Sequence, residues 1–117
     1  MIDTIERMAN AYLEAVAFTD FGDVDQPPSD SEFSAYAKAE AYIECRNFYW
    51  ANKDLIPDDK LVQAGHDLWL TRNGHGSGFW DRPEIWGEEG TDILTRCANS
   101  MGEKWVAVGD DGLVEID

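Results

Sequence analysis

Between positions 73 and 78 the chain reads Asn-Gly-His-Gly-Ser-Gly, and glycine at every second residue leaves neither a helix nor a strand enough side chain to hold its backbone. The run must be a loop. The length of 117 residues fits one domain over residues 1–117. With 44% hydrophobic and 12% aromatic residues, five Trp among them, there is side-chain volume for a real core despite heavy charge.

Residues 3 to 18 place Ile5, Met8, Ala9, Tyr12, Leu13 and Val16 at three- and four-residue spacing behind Asp3, with Glu6 three residues on as a capping-box variant. This predicts an amphipathic helix. Residues 19 to 30, with Gly22, Pro27 and Pro28 and no basic residue, read as a solvated acidic loop. Ser29, with Glu32 three positions later, predicts a second helix over about 30 to 50, its inward stripe being Phe33, Tyr36, Ala37, Ile43 and Phe48. Pro57 suits the first turn of a third helix running through Leu61, Leu68 and Trp69 to Arg72.

A fourth helix is expected over 87 to 101, with Ile93, Leu94, Cys97, Ala98 and Met101 inward and Gly102 closing it. Gly-Asp-Asp-Gly at 109 to 112, between Trp105–Val108 and Leu113–Ile116, is a hairpin signal. A lone hairpin is marginal, so it should lie on the helices or pair with a strand near Phe79 or from a second copy. The expected class is α+β: a helix-dominated domain of about four helices with a C-terminal β-hairpin.

Charge decides the partners. The 24 acids against nine Lys and Arg give a formal charge of -15, spread over both halves, and no two basic residues are adjacent. A polyanion without a basic patch repels DNA, RNA and anionic membrane, so neither nucleic acid nor membrane is an expected direct partner. A basic nucleic-acid-binding protein is the opposite case. Cys45 and Cys97 form no CxxC or paired spacing and read as buried small residues. Apolar runs are far shorter than the roughly 20 residues that span a bilayer, and Met1-Ile2-Asp3 offers no basic leader, so the expected location is cytoplasmic.

Residues 65 to 82, GHDLWLTRNGHGSGFWDR, hold both histidines, two Trp and four of the ten glycines. A metal centre could draw on His66, Asp67, His75 and Asp81, yet consecutive helical residues point about 100° apart and the spacing matches no ligand pattern. Nucleophilic catalysis by Ser77 or Thr71 lacks the strand-turn-helix setting such a serine needs. The glycines follow a helix and do not precede one, so they are no phosphate cradle. Asp20, Asp23 and Asp25 lack calcium-loop spacing. The favoured reading is architectural: Arg72 and Arg82 bond Asp67, Asp81 or backbone carbonyls, and the glycines let the loop pack on Trp69, Trp80 and Trp86. Such a knot of His66, Asp67, Trp69, Arg72, His75, Trp80, Asp81 and Arg82 could still present a binding surface.

The same 18 residues, with Gly-Asp-Asp-Gly at 109 to 112, resemble the signature of a widespread family of small acidic proteins of bacteriophages and prophages, with Leu68 where that family's run has Phe. The resemblance covers roughly the C-terminal half and implies a phage setting without a particular activity. In that setting the charge suggests an anti-defence inhibitor of the anti-CRISPR or antirestriction type, acting as a DNA mimic on a host defence or repair protein in the host cytoplasm, and needing no cofactor or metal. Carboxylates at i and i+4 of a helix stand about 6 Å apart, near phosphate spacing. Glu40 with Glu44, Asp54 with Asp58, and Glu84, Glu88 with Asp92 are the candidate sets. The alternative is a small metal-dependent enzyme or modifier using His66, Asp67, His75 and Asp81; a third is a structural or regulatory phage protein dimerising through the hairpin.

Overall fold

The first helix, α1 (Thr4–Asp20), starts where Asp3 accepts the Glu6 amide at 2.7 Å. That bond satisfies one of the four amides a helix leaves open at its start. The computed structural model describes residues 3–21 and 32–117. The expected helix start at Ser29, together with Asp23, Asp25 and most of the expected acidic loop, lies outside them.

α1 is buried on more than one side, through Ile5, Met8, Ala9, Ala11, Tyr12, Leu13, Ala15, Val16 and Ala17. Its alanines let neighbours approach closely, so it serves as the central helix, packed by α2 (Ala35–Ala51) and α3 (Leu61–Arg72). The second helix begins at Ala35, later than the spacing predicts, because the Ser34 hydroxyl takes the Ala37 amide and caps it. Phe33 and Ser34 are extended residues instead, joined to the hairpin. The inward stripe of α2 is Ala37, Ala41, Cys45, Phe48 and Tyr49, and the predicted Tyr36 and Ile43 face solvent.

Pro57 does not open α3. It precedes a single 3-10 turn at Asp58–Lys60, after an earlier one at Lys53–Leu55, and α3 itself starts at Leu61. The fourth helix expected over 87 to 101 is α5 (Glu88–Ser100); a short further helix, α4 (Pro83–Trp86), precedes it, and Gly87 with φ +79° separates the two. Leu94 and Ala98 point inward from α5, whereas Ile93 is exposed. Phe79, stacked on Phe48 at 5.4 Å and edge-on to Trp86 at 5.3 Å, lies in a 3-10 turn, Phe79–Asp81, that roofs the core.

The hairpin, β1 (Val106–Val108) and β2 (Val114–Ile116), pairs antiparallel with Val106 opposite Ile116. It is held by the domain's own chain: Phe33 bridges to Val114, and the Ser34 amide donates to the Val114 carbonyl at 2.9 Å. Within the chain this contact comes from residues 33 and 34 and not from Phe79. The result is helix-dominated α+β, with a Cα radius of gyration of 13.7 Å, close to the roughly 13 Å of a single 100-residue domain. No helix among the described residues is long and apolar enough to cross a membrane.

Candidate functional site

Two glycines of the 65 to 82 segment set its geometry. A β-carbon on Gly65 would fall onto the Met8 carbonyl oxygen and within 2.8 Å of Ala11, so this glycine is the crossing point of α3 over α1. Gly78, at φ +151°, abuts Thr71 so closely that a side chain there would displace the Thr71 hydroxyl, which accepts the Phe79 amide at 3.0 Å. Asn73 anchors the other end of the loop, donating to the Trp69 carbonyl and accepting the Lys104 amide. Gly74 and Gly76, between those anchors, stand in open space.

Asp67 is fully buried and saturated. Its Oδ1 accepts from Arg82 Nε and Gln63 Nε2, and its Oδ2 from the Trp86 indole, each at 2.9 Å. Three donors on one carboxylate replace the water it gave up, and they tie α3 to α4 across the loop. Arg72 is the mirror case, a guanidinium with no exposed side-chain surface. It donates to the carbonyls of Gly102 at 2.7 Å and Met101 at 2.9 Å, and to the Tyr12 hydroxyl at 3.3 Å, while Glu44 lies 3.6 Å away. A cation on those carbonyls also opposes the negative end of α5. Burial pushes the Tyr12 phenol well above its ordinary value, partly offset by Arg72, and burial likewise raises the Cys45 thiol.

The four residues weighed as metal ligands do not converge on one centre, although His66 and His75 line the same cleft. Asp67 is spent on its three donors, Asp81 accepts the Gly78 amide at 3.0 Å, and His66 Nε2 meets Glu14 at 2.8 Å. Among the described residues no three His, Cys, Asp or Glu side chains are grouped to hold a metal ion. Trp69 is buried and donates to Thr19, as the architectural reading requires, but Trp80 is half-exposed and is not packed under the loop.

His66, His75, Ser77 and Arg82 instead line one cleft, of about 660 Å³, between α1, α3 and the glycine loop. Its other wall comes from α1, through Glu14 and Phe18. Sequence reasoning missed that wall, although Glu14 is the sole charged residue between Arg7 and Asp20.

The acidic sets fare unequally. Glu44 is half-buried, 3.6 Å from both Arg72 and Lys104, so it belongs to an internal ion-pair network, and Glu40 is only half-exposed. Asp54 and Asp58 sit in separate 3-10 turns and not on one helix face. Glu84 is on α4, leaving Glu88 with Asp92 as the helical i, i+4 pair; Asp92 also meets Arg96 at 2.6 Å. The fold links the stretches that carry these acids in another way. Lys60 Nζ donates to the Ile85 carbonyl at 3.2 Å, and Leu55 Cδ2 would stand 3.9 Å from a β-carbon on Gly90. The stretch from 53 to 60 therefore touches 84 to 92 at these two points, and the two stretches together carry the exposed residues Asp54, Asp58, Asp59, Glu84, Glu88, Glu89 and Asp92.

No protein-family model, curated protein or solved structure matches the chain.

Proposed function

We propose that this protein is an acidic inhibitor that occupies the nucleic-acid-binding groove of a basic host protein, a defence or repair factor, in the host cytoplasm. The observation that carries it is the pair of touching stretches 53 to 60 and 84 to 92, which carry seven exposed carboxylates on two 3-10 turns and two helices. Their backbones are fixed by short elements, so docking on a lattice of Lys and Arg costs less ordering than a free acidic tail would. The net charge of -15 steers any basic groove toward the molecule and repels competing nucleic acid. The phage signature that residues 65 to 82 resemble supplies a setting in which such inhibition is useful.

The test is retention from host lysate on the immobilised protein, with bound proteins identified by mass spectrometry and then challenged with salt or duplex DNA. Nucleic-acid-binding proteins should be retained and released both by about 0.5 M salt, where screening is nearly complete beyond a few ångströms, and by DNA. Retention indifferent to DNA overturns groove occupation.

A further inference from the structure

The cleft against the glycine loop has a different character from the acidic region. Among the described residues Glu14 is the one acid that lines it, and Glu14 is engaged by His66. Both histidines of the chain face it, with Arg82 and Ser77. Arg82 is anchored through Nε on buried Asp67, and its two η nitrogens have no hydrogen-bond partner among the described residues. That arrangement offers donors in a fixed fork, already immobilised, so binding loses little side-chain freedom. Because Asp67 offsets the guanidinium charge, what the fork supplies is directional hydrogen bonding more than net attraction.

Apolar surface comes from both helices, Ala15 and Phe18 of α1 beside Glu14 and Leu70 of α3. Leu70 is half-buried, and Phe18, 78% exposed, stands at the edge of the cleft as a large aromatic face that a bound molecule would cover. A volume of about 660 Å³ falls within the roughly 300 to 1,000 Å³ of small-molecule sites. We propose that this cleft binds a small organic anion, with a carboxylate or phosphate held by Arg82, His75 and Ser77 and an apolar body laid against Phe18 and Leu70. The site is independent of the acidic region and of its partner.

Titration of ¹⁵N-labelled protein with phenyl phosphate and with benzoate tests it, read at the two imidazoles and at the amides of residues 74 to 78. At least one of the two should shift these signals saturably, with a Kd of about 1 mM or tighter. Inorganic phosphate, lacking the apolar body, and benzyl alcohol, lacking the charge, should each bind about tenfold more weakly. Arg82 also holds Asp67, so the variants are His75→Ala and Ser77→Ala, whose side chains lie on the loop; they should melt with the wild type and bind about five- to tenfold more weakly. Absence of saturation by both aromatic anions up to about 10 mM overturns the proposal. So does equal binding of benzyl alcohol, equal binding of inorganic phosphate, or unchanged affinity in both variants.

Discussion

Arg72 illustrates how much of this molecule rests on single buried charges. It satisfies two carbonyls beyond α5, the Tyr12 hydroxyl and, at longer range, Glu44. Arg72→Met keeps the packing volume but orphans all of them, and breaking such a buried set costs about 3 to 5 kcal/mol out of a total near 5 to 15. Chemical denaturation should show that loss, with much less for Arg96→Met on the exposed Asp92 pair. A second residue-scale expectation concerns alkaline pH. Cys45 and Tyr12 hold their protons more tightly folded than unfolded, where the ordinary values are 9.0 and 10.0. Their contribution is complete below those values and is lost as pH rises above them, since only the unfolded chain then releases the protons readily. The melting temperature should therefore begin to fall near pH 9, and Cys45→Ala should delay the onset; a flat profile to pH 11 would contradict buried, protonated groups at these positions.

At the scale of elements, the glycines divide into those the fold uses and those it does not. Gly65→Ala must push α1 from α3 and should cost about 1 to 3 kcal/mol, whereas Gly76→Ala meets open space at ordinary φ and should be neutral within about 0.5 kcal/mol. Equal melting temperatures for the two would contradict a close α1–α3 crossing at Gly65. This contrast also marks what the sequence makes legible. Apolar spacing located α1, α3 and α5, and Gly-Asp-Asp-Gly located the hairpin, because those signals are local. The start of α2 was misplaced since Ser34 and Ser29 are equally good caps, and only the pairing of Phe33 with Val114 makes residue 33 extended. The cap itself is testable: Ser34→Ala should lose about 1 kcal/mol.

For the candidate site, the segment from 65 to 82 announced itself by composition, and the roles of Arg72 and Arg82 followed from the rule that buried charges need partners. Which partners they take did not follow, because Gly102, Met101 and Tyr12 are 29 to 60 positions away. The cleft was invisible for the same reason, its Glu14–His66 contact joining residues 52 apart.

At the scale of the whole molecule, the -15 charge is a property any acidic surface shares, and groove occupation requires that position matter as well as amount. The touching stretches 53 to 60 and 84 to 92 carry seven exposed acids on fixed elements; Glu6, Glu103 and Asp110 are also exposed but lie on other parts of the fold. The decisive measurement is the affinity of the captured partner for two charge-matched triple variants, Asp58→Lys, Glu84→Lys, Glu88→Lys and Glu6→Lys, Glu103→Lys, Asp110→Lys, at one ionic strength. Groove occupation predicts that the first loses at least about tenfold more affinity than the second, as misplaced charge at a complementary interface costs several kcal/mol while distant charge is screened. Equal losses would show that only total charge counts and would contradict an acidic face shaped for a nucleic-acid-binding groove.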